Sequence, residues 1–89
     1  MEIGLYNNGF CTTFNKLLIK GNVTCYQIHQ YTNLDQGYLS NLKNGNKMNP
    51  SPETLMKIAL GLSHCSNNIT LYDIEGLFQS VGRSIHVRY

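Results

Sequence analysis

Apolar positions recur along this chain with a helical period, and each run starts and stops on residues that cap helices. Over residues 10–20, Phe10, Phe14, Leu17 and Leu18 fall at i, i+4, i+7 and i+8, one stripe of a first helix that Gly21-Asn22 ends. Val23 precedes Thr24, whose hydroxyl can accept an orphan N–H at the start of a second helix, with Ile28 pointing inward and Val23 stapling the first turn. Residues 32–34 then form a sharp turn. Asn33 takes its positive-φ slot, since Asn enters the left-handed region more readily than any residue but Gly, and Leu34 buries the turn. Asp35 caps a third helix with Leu39 and Leu42 on its inner face, and Gly45 closes that helix.

The second half of the chain is punctuated as clearly. Residues 44–51 are rich in Gly, Asn, Lys and Pro and read as a loop, ending on Ser51 as a cap with Pro52 at the first helical position and Glu53 in the first turn. Leu55, Ile58, Ala59 and Leu62 form the stripe of a fourth helix, which should cover the underside of the two before it. After a loop over residues 63–68, Thr70 with Asp73 resembles a capping box, and Leu71, Ile74, Leu77, Phe78 and Val81 make the apolar face of a fifth helix that Gly82 ends. Residues 1–9 have no clear period, and Asn7-Asn8-Gly9 is a loop signal, so they read as an arm; without Lys or Arg, its expected state is packed or disordered. The final SIHVRY alternates Ile85, Val87 and Tyr89 with polar residues, as either a short strand or a frayed tail. The expectation is one all-α domain of five helices over residues 1–89: an arm at 1–9, a helical core at 10–81 and a tail at 82–89.

The third helix has an unusual outer face. Gln36, Gly37, Ser40, Asn41 and Asn44 share it, small residues and amides with no carboxylate after the cap. A merely solvated face would carry Lys and Glu, whereas Gln and Asn can present a donor and an acceptor together to adenine N6 and N7 in the major groove. Lys43 and Lys47 follow at the helix end and in the loop, where a phosphate backbone would pass.

Here QIHQYTNLDQGYLSNLKNG strongly resembles the phage-repressor-like helix-turn-helix family, the Cro type also called XRE, and NPSPETLMKIALGL follows that family's next helix. With the first helix, the resemblance covers roughly residues 10 to 80. It implies a lambda-repressor-like fold and a sequence-specific regulator of double-stranded DNA, expected to be a repressor acting as a homodimer. The helix at residues 35–44 would read the major groove, with Gln36, Gly37, Ser40 and Asn41 nearest the bases and Thr24, Tyr26, Lys43, Asn44 and Lys47 on phosphates. Leu77, Phe78, Val81, Ile85 and Val87 would be the candidates for a dimer interface. Two residues depart from the family pattern. His29 stands where the family usually has Ala, so either the helix crossing is more open or the imidazole turns sideways. Cys25 replaces a Gln that commonly clamps a phosphate and braces the first residue of the recognition helix, which leaves Gln36 less supported. The alternative reading is a protein-interaction module, antitoxin-like or scaffolding, that engages a partner through apolar residues of the last helix such as Leu77 and Phe78.

Composition narrows the rest. Eighty-nine residues with 42% apolar content make one globular domain, and a net charge of +2 gives only modest long-range attraction to nucleic acid. No apolar run reaches the roughly 20 residues of a membrane helix and MEIGLYNNGF lacks signal-peptide character, so the expected location is the cytoplasm. There the sequons at Asn22 and Asn68 have no role beyond turn residues before Thr caps. Cys11, Cys25 and Cys65 are an odd set without C-x-x-C spacing, expected as reduced thiols; with His29, His64 and His86 they match no metal motif. Glu2, Asp35, Glu53, Asp73 and Glu75 read as caps and solvated positions, and no catalytic or cofactor signature appears, so neither an enzyme nor a cofactor protein is expected. Tyr26, Tyr38 and Tyr72 are spread over different helices and form no stacking platform for single strands; Tyr31 could reach either core or phosphate.

Overall fold

The computed structural model describes residues 3–46 and 49–82, and over them the chain is all-helical: α1 (Ile3–Gly21), α2 (Cys25–Thr32), α3 (Gln36–Lys43), α4 (Pro52–Cys65) and α5 (Leu71–Gln79). The inward stripes meet in one core. It gathers Phe10, Phe14, Leu17 and Leu18 from α1, Ile28 from α2, Leu39 and Leu42 from α3, Leu55, Ile58, Ala59 and Leu62 from α4, and Leu77 and Phe78 from α5. Each of these side chains other than Ala59 contributes about 1.5–3 kcal/mol when fully buried, enough to hold helices too short to stand alone. The α1 helix packs against α3, α4 and α5, and α4 packs against α2. Among the described residues no helix is long and apolar enough to cross a membrane.

The caps are where the sequence places them. Thr24 and Gln27 form a reciprocal box at the start of α2, Asp35 Oδ2 accepts the Tyr38 N–H, Ser51 accepts the Thr54 N–H ahead of Pro52, and Thr70 and Asp73 form the box of α5. Both Asn33 (φ 66°) and Gly45 (φ 77°) are left-handed. At the end of α1, however, the left-handed residue is Asn22 (φ 56°), not Gly21. Its N–H reaches the Ile19 carbonyl and Val23 N–H the Leu18 carbonyl, a Schellman closure. Gly21 is needed for space instead: a Cβ there would lie 3.0 Å from Ser66 Oγ and 3.1 Å from Ile69. Gly61 serves the same end between α4 and α2, where a Cβ would sit 3.2 Å from methyls of Ile28 and Thr32.

Four expectations need correction. The segment expected as an arm is helical from Ile3 onward, because α1 runs from Ile3 through Gly21. Asn and Gly lower helix propensity by about 1 kcal/mol or less each, and a helix already nucleated on the Phe10 and Phe14 pair extends through them where a proline would stop it. Leu71, assigned to the inner face of α5, is 74% exposed at the first turn of that helix. Leu77 (0% exposed) and Phe78 (7%) are spent on the protein's own core and present no area to a second chain, while Val81 is half-buried against that core. Finally α5 ends at Gln79, two residues before the expected Val81, with Gly82 left-handed at φ 77°. Lys47, Ile85, Val87 and the proposed strand or tail lie outside the described residues.

One ion pair joins the two ends of the fold. Lys20 Nζ lies 2.6 Å from Asp73 Oδ2, linking the last turn of α1 to the first of α5. The Lys20 hydrogen bond holds the Asp73 carboxyl below its ordinary value, aided by the Thr70 N–H and hydroxyl and opposed by burial. A carboxyl depressed in the native state binds fewer protons there than in the unfolded chain. Its stabilisation is therefore complete above the unfolded pKa of about 3.9 and is lost as pH falls through the lower native value. Since Lys20 is 47% exposed, solvent screens the pair. Replacing Asp73 with Asn, which keeps an acceptor for the cap, is expected to cost at most about 1 kcal/mol at neutral pH in urea denaturation. That gap should close on acidification below about pH 4. A gap that persists in acid would assign the effect to the cap rather than to the charge.

Candidate functional site

The pair α2–α3 is joined by residues 33–35, and its turn is held by side chains of α2. Asn33 N–H reaches the His29 carbonyl at 2.8 Å. Thr32 Oγ1 donates to the Ile28 carbonyl at 2.7 Å and accepts the Leu34 N–H at 3.1 Å. The His29 ring lies against the turn, with Nδ1 2.7 Å from the Leu34 carbonyl; because a carbonyl only accepts, Nδ1 carries the proton and donates. Both backbone polar groups of Leu34 are thereby satisfied by α2, which sets the point at which α3 begins.

The α3 helix opens on the Asp35 cap. A Cβ at Gly37 would lie 3.1 Å from Asp35 Oδ2, so the absence of a side chain there makes room for the cap. Gln36 and Gly37 are exposed, Ser40 and Asn41 half-buried, and Lys43 and Asn44 exposed. At its far end α3 closes as a second Schellman motif, Asn46 N–H to the Asn41 carbonyl and Gly45 N–H to the Leu42 carbonyl.

A cleft of about 640 Å³ lies between α3 and the junction of α1 with α2, lined by Asn15, Leu18, Ile19, Asn22, Val23, Thr24, Cys25, Gln36, Ser40 and Lys43. It brings together four of the residues singled out from the sequence: Thr24, Gln36, Ser40 and Lys43. Gly37 and Asn41 on α3, and Asn44 at its C-cap, lie outside the cleft lining. Tyr26 is half-exposed elsewhere on α2, its hydroxyl accepting from Gln30 Nε2 at 3.0 Å. No carboxylate lines the cleft, and Lys43 makes no ion pair with another described residue. The cleft is thus neutral to positive, furnished with amide and hydroxyl groups that both donate and accept. Cys25 lies in it half-buried; burial pushes its thiol up from the ordinary value and the Lys43 ammonium pulls it part of the way back. The Gln36 side chain makes no hydrogen bond to Cys25 or to any other described residue.

Sequence reading missed the residues that α1 contributes. Asn15 Nδ2 donates to the Lys43 carbonyl at 2.7 Å and Cys11 Sγ to the same oxygen at 3.0 Å. A signal was present: Asn is a poor choice for a helix interior, and Asn15 adjoins an otherwise regular apolar stripe. Away from the cleft, Tyr31 is half-exposed and stacks on His64 with ring centroids 3.8 Å apart and 11° between planes, so its contact is a neighbouring ring rather than the core. Among the described residues no three His, Cys, Asp or Glu side chains are grouped to hold a metal ion. Comparison with protein-family models, curated proteins and solved structures found no match.

The electrostatics of the cleft can be tested through Cys25. With Cys11 and Cys65 replaced by Ser, iodoacetamide at pH 8 should alkylate Cys25 more slowly than a free thiol, because less of it is thiolate. Changing Lys43 to Met should slow the reaction further. An unchanged or faster rate in that variant would place the ammonium away from the thiol.

Proposed function

We propose that this chain is a sequence-specific double-stranded DNA-binding protein of the lambda-repressor-like helix-turn-helix kind, acting as a homodimeric transcriptional repressor. The observation that carries the reading is the carboxylate-free cleft where Thr24, Gln36, Ser40 and Lys43 converge, beside an α3 face made of small and amide residues. The α3 helix enters the major groove. Gln36, Ser40 and Asn41 offer donors and acceptors to base edges, and Gly37 lets the helix approach closely. Thr24, Tyr26, Lys43, Asn44 and Lys47 hold phosphates, which sets register without carrying sequence information.

With a net charge of +2, a monomer binds weakly and salt erases that binding quickly. Two copies on half-sites about one helical turn apart make the second contact intramolecular, which raises affinity without any new contact to DNA. Because Leu77 and Phe78 are buried, the second copy must use other residues. A second reading, a protein-interaction module, is favoured by Leu71 (74% exposed) and Tyr72 (81%), which stand unburied at the start of α5.

Selection of bound duplexes from a random library, followed by titration at two salt concentrations, separates these readings. Enrichment of a paired motif is expected; no enrichment, with only weak and salt-sensitive binding, would rule out operator reading and turn attention to protein partners of Leu71 and Tyr72. On the selected duplex, Asn41→Ala should cost about 1–3 kcal/mol and relax preference at one base position. A variant with the parent's base preferences would remove Asn41 from the reading set. Lys43→Ala should weaken all sequences alike and reduce the salt slope by about one. A sequence-dependent loss would instead make Lys43 a base contact.

A further inference from the structure

The α3 helix has only eight residues, and a free helix of that length has no stability of its own in water, so what it can read depends on how firmly each end is held. Its entry is fixed by the His29 bond to the Leu34 carbonyl and by the Asp35 cap, and its middle by the buried Leu39 and Leu42. Its exit is held from another helix. The Lys43 carbonyl is one of the acceptors that a helix end leaves without an intrahelical partner, and it takes two bonds from α1: Asn15 Nδ2 at 2.7 Å and Cys11 Sγ at 3.0 Å. The same Asn15 nitrogen donates to the Cys11 carbonyl at 2.9 Å, one turn back. An amide NH2 has two hydrogens, and both are used, so the α1 backbone, the Asn15 side chain and the α3 backbone form one continuous link.

Resting on the DNA-reading proposed above, we infer that Asn15 is a positioning residue for α3: it touches no base, yet it sets the height of the C-terminal half of the helix over the groove. Gln36 and Asn44 are about 12 Å apart along the axis at 1.5 Å rise per residue. If the exit is released, the helix shifts about its held entry, and the displacement falls on Asn41 and Asn44 more than on Gln36, which is governed by the entry. Hydrogen bonds to base edges tolerate only a few tenths of an ångström, so selectivity drops at the positions read from the C-terminal half. The Lys43 ammonium rides on a flexible four-carbon stem and still finds a phosphate, so sequence-independent binding is retained.

The test is Asn15→Ala in the full chain, with Cys11→Ala as a milder second variant that removes the thiol, a donor to the Lys43 carbonyl and a weak acceptor from Asn15 Nδ2, and leaves the Asn15 amide in place. In free protein, amide exchange at Asn44, Gly45 and Asn46 should rise about tenfold while Leu39 and Leu42 stay protected. On DNA, preference at the base pair facing Asn41 should fall about tenfold, that at Gln36 should be kept, and binding to scrambled duplex should stay within about twofold. Cys11→Ala should show the same pattern with smaller amplitude, and that pattern decides the matter if Asn15→Ala fails to fold. Unchanged preferences in folded variants would overturn the inference, as would a loss spread evenly over all positions in step with a lower Tm, which marks a merely structural role. If the parent protein itself selects no motif, the DNA reading fails, and the positioning role fails with it whatever the exchange data show.

Discussion

Two eight-residue helices, α2 and α3, cannot persist unless their ends are satisfied from outside, and that constraint organises the molecule. The Thr24 and Gln27 box starts α2, and Asn33 stops it by turning left-handed. His29 and Thr32 then satisfy the backbone of Leu34, and Asp35 restarts the helix. Thr24, Gln27, His29, Thr32 and Asp35 all spend their side chains on these helix ends. The side chains of Gln36 on α3 and of Asn44 just after it are left exposed and free of such duty.

Around this unit, α1 and α4 work as two supports with different means. The α4 helix holds α2 by packing, with Gly61 admitting Ile28 and Thr32 closer than any side chain would allow. The α1 helix holds α3 by packing and also by hydrogen bonds, through Asn15 and Cys11 to a carbonyl that would otherwise be unpaired. The pair Lys20–Asp73 ties the opposite end of α1 to α5. The surface left over is chemically divided. The cleft beside α3 sets amides, hydroxyls and one ammonium beside Leu18, Ile19 and Val23, whereas the start of α5 exposes Leu71 and Tyr72. That division is why nucleic acid and protein are the two partners to be weighed, and why they would be met on different faces.

The helical periods and caps determined most of the fold by themselves. Core positions in α1 to α4, the left-handed Asn33 and Gly45, and the caps at Thr24, Asp35, Ser51 and Thr70 all follow from short-range rules, because capping and amphipathicity are decided within a few residues of sequence. The outer face of α3, and with it Gln36, Ser40 and Lys43, was legible for the same reason. What only tertiary structure decided is everything that depends on two segments meeting. Asn15 and Cys11 reaching the Lys43 carbonyl, Gly21 and Gly61 yielding to neighbours, and Tyr31 stacking on His64 join residues at least 28 positions apart, and no local period encodes such a meeting. The same holds for burial at the end of the chain. Leu71 and Leu77 look alike on a helical stripe, but only the position of α5 against α1 and α4 decides that Leu77 fills the core and Leu71 meets solvent.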